Sequence, residues 1–198
     1  EANSTAGSNT AVGYNALTAN TTAQYNTAVG SRTMDANTTG ASNTGVGYAA
    51  LGTNTTADHN TAVGYHAMLD NEAASGTAIG SLALESNTTG SANTALGYGA
   101  LRANTSGDTN TAVGSNALIA NTNGDNNVAV GHDAMKTLDG GSSNVAVGVN
   151  AGDAMTTGGG NTLVGVNAGG GLTTGAENVA IGRGALQTED TVDELVAV

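Results

Sequence analysis

Along the chain a branched aliphatic residue returns at a fixed interval, each time within a phrase of the form Asn-Thr-Ala-Val-Gly. Numbering each unit from its Asn, the anchors are Asn9, Asn26, Asn43, Asn60, Gly76, Asn93, Asn110, Asn127, Asn144, Asn161 and Asn178. Nine of the ten intervals are 17 residues and one, Asn60 to Gly76, is 16. A fixed period over eleven copies is the mark of a stacked repeat architecture. Position 4 holds Val12, Val29, Val46, Val63, Ile79, Leu96, Val113, Val130, Val147, Val164 and Ile181, all branched and mostly β-branched, as strands prefer. Position 5 is Gly in every copy, which suits a bend with positive φ or a close approach of neighbouring chain. Position 8 is Ala except at Thr33, and position 9 is Leu or Met except at Gly152 and Gly169. A turn signature, Asn-Thr-Thr-Gly or a variant, follows.

Each unit therefore predicts two short strands joined by two turns, one coil of an all-β parallel β-solenoid. Eleven coils rising ~4.8 Å each make a rod of roughly 50 Å. Residues 1–198 read as a single array, with partial repeats at 1–8 and 195–198. Neither end shows the polar cap that solenoids normally carry, so the array is expected to continue or to abut another chain.

Alternation along Thr-Ala-Val-Gly divides the strand into two faces, positions 2 and 4 on one side and position 3 on the other. Position 3 is Ala or Gly in ten copies and Leu163 in the other. No charged or long polar side chain enters that column, which predicts burial of both faces. On this reading the position 4 column is the thin core of the coil, together with Leu and Met at position 9. Ala11, Ala28, Ala62, Ala78, Ala95, Ala112, Ala129, Ala146 and Ala180 are expected to lie against a neighbouring subunit. The position 1 Asn fits either a stacked ladder closing each coil or a turn-former that tolerates left-handed backbone.

Composition sharpens this picture. With 31 Gly, five Tyr and no Pro, Cys, Trp or Phe, the chain cannot assemble a bulky central core. Sixteen acidic against four basic residues give a net charge of −12, which disfavours nucleic acid and anionic membrane surfaces as partners. No apolar run approaches the roughly 20 residues needed to span a bilayer as a helix, so no membrane insertion is expected.

The unit N-T-A-V-G-Y-x-A-L-x-x-N-T-T-G-x-x resembles the repeat of phage tail-fibre-like and bacterial surface fibre proteins. It is also similar to the YadA-like head repeat of trimeric autotransporter adhesins, whose repeat is nearer 14 residues. The resemblance implies a left-handed β-roll, three identical chains around one axis, and an extracellular, cell-surface or virion location. It implies a non-enzymatic fibre or adhesin shaft, with a host-surface glycan or receptor as a further partner and no cofactor.

Candidate chemistry is sparse. His59, His66 and His132 fall in three different columns, so they do not converge as metal or catalytic groups. Asp58, Asp108 and Asp125 share position 16, but their spacing differs from known Ca²⁺ rolls, and solvated turn residues are the better reading. Tyr14, Tyr48, Tyr65 and Tyr98 share position 6, either as a sugar-stacking stripe or packed against the next coil. Six N-x-[ST] sequons, at Asn3, Asn20, Asn37, Asn54, Asn87 and Asn104, would place sugars at regular steps if glycosylated. The Thr pairs that follow four of them, such as Thr21/Thr22 and Thr38/Thr39, offer an ice-binding alternative whose ranks fail in the second half.

Overall fold

A computed structural model describes residues 6–188 and 190–198. Its single sheet has 12 strands in sequence order, from β1 (Thr10–Val12) through β7 (Thr111–Val113) to β12 (Val196–Ala197). All are parallel and in register, each residue above its equivalent one coil away, as in Thr10↔Thr27, Ala11↔Ala28 and Val12↔Val29. The sixteen-residue unit keeps this register, with Thr61 paired to Thr77. The fold is a parallel β-solenoid of eleven turns, and Ala197 pairs with Ala180 as the repeat alignment requires. Among the described residues no helix is long and apolar enough to cross a membrane.

The coil has one strand, not the two expected. Opposite the sheet, positions 7 and 9 are left-handed, with φ of 57° at Asn15 and 52° at Leu17, and two such residues in three cannot form a strand. They still bond along the rod. The position 7 amide of Arg32 donates back to Tyr14 O at 2.8 Å, and the position 9 amide of Met34 donates forward to Ala50 O at 3.0 Å. Left-handed backbone penalises β-branched residues, which explains why position 9 uses Leu, Met and Gly while position 4 uses Val and Ile in every coil but that of Leu96. The Gly at position 5 is required by space as well as φ. A Cβ on Gly114, at φ +136, would lie 2.3 Å from Gly131 O of the next coil.

The two faces of the strand are the reverse of those expected. Ala28, Ala62, Ala78, Ala95, Ala112, Ala129, Ala146 and Ala180 are 0 % exposed within one chain, so they form the interior rather than a subunit interface. Ala11, in the first coil, is exposed. Val12, Val29, Val46, Val63, Ile79, Leu96, Val113, Val130, Val147, Val164 and Ile181 point outward and are half-buried or exposed. The physical reason is thickness. Leu and Met at position 9 reach across the coil and leave room for little more than a Cβ on the strand.

The exceptions demonstrate this. Leu163 is the one large residue at position 3, and Gly152 and Gly169 are the two position 9 glycines. A Cβ on Gly152 would lie 2.8 Å from Leu163 Cδ1, and one on Gly169 would lie 2.7 Å from it. Leu163 thus fills the space that two position 9 side chains vacate. Thr33 and Gly45 are a second exchange, since a Cβ on Gly45 would meet Thr33 Cγ2 at 2.7 Å.

Two asparagine ladders complete the interior. Each position 1 carboxamide is used at both ends: Asn110 Nδ2 donates to Gly124 O at 2.8 Å, and its Oδ1 accepts from Asn127 N at 2.9 Å. The interruption at Gly76 is occupied by Met68, whose Cε lies 2.4 Å from where a Cβ would stand. The second ladder, at position 12, runs amide to amide: Asn87 Nδ2 to Asn71 Oδ1 and Asn104 Nδ2 to Asn87 Oδ1, both 2.8 Å, then Asn121 Nδ2 to Asn104 Oδ1 at 3.2 Å. The sixteen-residue unit breaks it. Asn71 turns its amide to Ala73 O at 2.7 Å, and Asn54 Oδ1 is left buried without a donor. Further along, Leu138, Met155 and Leu172 replace the amides with an apolar stack, all 0 % exposed.

Because half a hydrogen-bonded pair is worse than none, Asn104→Ala should lower the stability by about 2 kcal/mol. Converting Asn87, Asn104 and Asn121 together to Leu, which imitates the Leu138–Met155–Leu172 stack, should give a smaller loss per site. Urea unfolding of the two variants measures the difference.

Candidate functional site

Two outer surfaces stand apart from ordinary solvated turns. The first is the outward face of the sheet. Its position 2 column is Thr or Val and its position 4 column is Val, Ile or Leu, with no charge in any of the eleven coils. Tyr14, Tyr48, Tyr65 and Tyr98, together with Val149 and Val166, stand at its border at position 6, just past the Gly corner, each more than 40 % exposed. The apolar strip is roughly 50 Å long and about 10 Å wide, on the order of 500 Å².

The second surface lies beyond the Gly at position 5, where positions 6, 7 and 10 project from the left-handed segment. All four basic residues, Arg32, Arg102, Lys136 and Arg183, sit here. Two of them face acids. Arg102 Nε donates to Glu85 Oε2 at 2.7 Å, and Lys136 Nζ lies 3.4 Å from Asp133 and 3.5 Å from Asp153. Arg183 is exposed, and Arg32 is exposed with no ion pair or side-chain hydrogen bond among the described residues.

 Of the four cations, then, only Arg102 and Lys136 are held by acids among the described residues.

Coil 3, anchored at Asn43, carries Ala49 at position 7 and Gly52 at position 10, and no other coil has Ala or Gly at both. Coil 2 has Arg32 and Asp35 at those positions, and coil 4 has His66 and Leu69. The result is a shallow notch of about 360 Å³, lined by these six residues with Tyr48 and Thr53. Its aromatic wall is a stack. Tyr48 and Tyr65 lie 5.6 Å apart with rings 13° from parallel, and His66 lies 3.9 Å from Tyr65 at 17°. His66 Nδ1 is in turn 3.5 Å from Glu85 Oε1, so the Arg102–Glu85 pair braces the far side of the ring.

The structure separates the other sequence candidates. His59, His66 and His132 stay apart, and among the described residues no group of three or more His, Asp or Glu could hold a metal ion. The position 16 acids are turn caps: Asp58 Oδ1 accepts from Ala41 N at 2.6 Å, and Asp108 Oδ1 from Ser91 N at 2.7 Å. The sequon residues Asn20, Asn37, Asn54, Asn87 and Asn104 are at most 1 % exposed, so the folded rod does not present them for glycosylation, contrary to the expectation of regularly spaced sugars. Asn3 lies outside the described residues. The hydroxyls of Thr21, Thr38, Thr88 and Thr105 beside them are committed to carbonyls one coil on, as in Thr38 Oγ1 to Thr55 O at 3.0 Å and Thr88 Oγ1 to Thr105 O at 2.9 Å, and Thr55 donates to Glu72.

The position 6 tyrosines are exposed, and Tyr48 and Tyr65 also stack on each other, so the two readings of that column coexist. The notch itself was not singled out from sequence. Its signal was present as the coincidence of small residues at positions 7 and 10 of one coil.

No protein-family model, curated protein or solved structure matches this chain.

Proposed function

We propose that the chain is a structural shaft segment of an extracellular or virion fibre, non-enzymatic, in which copies of the same chain pack through the outward Thr/Val face. The observation that carries this reading is the uncharged strip along all eleven coils. At roughly 500 Å² it is at the upper end of what a soluble monomer leaves open. Parallel sheets are ordinarily covered on both faces. The repeat resembling that of fibre and adhesin shafts supports three chains as the number. The acidic turns would then face solvent and keep rods apart.

Light scattering tests the reading: three times the 19.0 kDa chain mass supports it, and a stable monomer at high concentration removes it. A second reading rests on the same face. Thr10, Thr27, Thr44, Thr61, Thr77, Thr94 and Thr111 form one outward rank beside the Val column, a flat uncharged array of the kind that orders water. A monomer with thermal hysteresis would favour ice binding over the fibre.

A further inference from the structure

We infer that the notch at coil 3 binds one neutral pyranose ring of a glycan. This goes beyond the shaft reading and does not depend on it, since the notch lies past the Gly47 corner on one chain.

Shape sets the size of the ligand. Coils 2 and 4 are two coil steps apart, roughly 9.6 Å between backbones, and coil 3 contributes only Ala49 and Gly52 between them. That leaves a slot about one ring thick, narrowed at its Gly52 end by Leu69, whose Cδ1 lies 2.9 Å from where a Cβ on Gly52 would stand. In the other coils the same space is filled by at least one larger side chain, such as Arg102 or Ile119.

Chemistry sets the class. Tyr48 and His66 line the slot, and the stack of Tyr48, Tyr65 and His66 with the Glu85–Arg102 pair holds them in place. A largely apolar aromatic wall with a few convergent polar groups is the usual character of a small-molecule site. Arg32 and Asp35 supply those groups from coil 2. One is a pure donor and the other, ionised, a pure acceptor. Sugar hydroxyls both donate and accept, so neighbouring hydroxyls on one ring can satisfy both. Thr53 leaves its oxygen lone pairs available, because its hydroxyl proton goes to Leu69 O at 2.9 Å.

Charge sets the sign. Asp35 shares the wall with Arg32, and the chain carries −12 overall, so a carboxylated sugar would meet repulsion that a neutral ring does not.

The test is an amide-resolved NMR titration of the whole chain with the methyl pyranosides of glucose, galactose, mannose and N-acetylglucosamine. Each is taken to about 50 mM, since a single ring binds weakly, and sodium glucuronate serves as the anionic arm. At least one neutral pyranoside should give saturable shifts confined to residues 32–35, 48–53 and 66–69.

Gly52→Leu should abolish them by pushing Leu69 outward and filling what remains of the slot. Leu stands at the same position in coil 4 as Leu69, and the first added carbon meets the movable Leu69 Cδ1 at 2.9 Å, so the rod should fold. Ala49→Asn, with Asn116 as its precedent, is the second filling variant should Gly52→Leu melt early. Arg32→Asn should weaken binding about tenfold or more, as expected for loss of a charge-assisted hydrogen bond. The inference is overturned if no neutral pyranoside gives saturable shifts, if glucuronate binds better than all of them, or if binding survives in the folded filling variants. Light scattering on the same samples reads the state of association separately.

Discussion

A chain carrying Ala112→Glu is expected to lose its folded rod around coils 6 to 8, with melting far below that of the parent and protease cleavage inside the array. Ala112 is 0 % exposed on the inner face of β7, between Ala95 and Ala129 in the stack. The geometry at Gly45 shows what a position 3 side chain meets: the position 8 and 9 side chains of the preceding coil, here Ala100 and Leu101. A carboxylate placed there has no partner and no water. Mutations that bury an unpaired charge belong with the largest destabilisations known, on the order of 4–5 kcal/mol or more. A solenoid spreads stability through nearest-neighbour contacts, so one failed coil divides the array in two. Circular dichroism and limited proteolysis would measure the loss. Parent-like melting of Ala112→Glu would show that the Ala column does not face inward.

The same column shows how far the sequence could be read. Period, register, parallel stacking and the identity of the strand followed directly from the spacing of Val12, Val29 and their equivalents. Which face of that strand lies inside did not, because branched aliphatics were assigned to the core by size. In a coil this thin the rule inverts: Leu and Met arrive from the opposite wall, and the strand can add only a methyl group. The information was nevertheless in the chain, in the exchange of Leu163 against Gly152 and Gly169 and of Thr33 against Gly45. Residues that trade volume share a core.

The missing second strand has a related cause, since left-handed backbone at positions 7 and 9 leaves no mark in hydrophobic alternation. Its trace is the exclusion of Val and Ile from position 9. Burial of the position 12 asparagines is not legible either, because Asn-Thr-Thr-Gly is a turn by composition. Only the stacking of equivalent amides at 2.8 Å makes their burial affordable, and stacking is a property of the assembled rod. The notch at coil 3 was hidden for the same reason, as it exists between coils and not within one.

The outward face gives the complementary expectation. A double variant, Val113→Glu with Val130→Glu, should fold as the parent does yet run as a 19.0 kDa monomer in light scattering. Both side chains project from the sheet on the face opposite Ala112 and Ala129, so the new carboxylates reach water in a single chain. In an assembly built on that face they would stand in adjacent coils, ~4.8 Å apart, and meet their copies on neighbouring chains. Like charges desolvated together cost several kcal/mol, enough to separate chains held by a narrow strip. Paired with Ala112→Glu, the variant isolates the two faces: one substitution destroys the coil, the other only its company. Association that persists at parent strength in Val113→Glu/Val130→Glu would mean that the chains meet elsewhere, and the uncharged strip would then need another occupant.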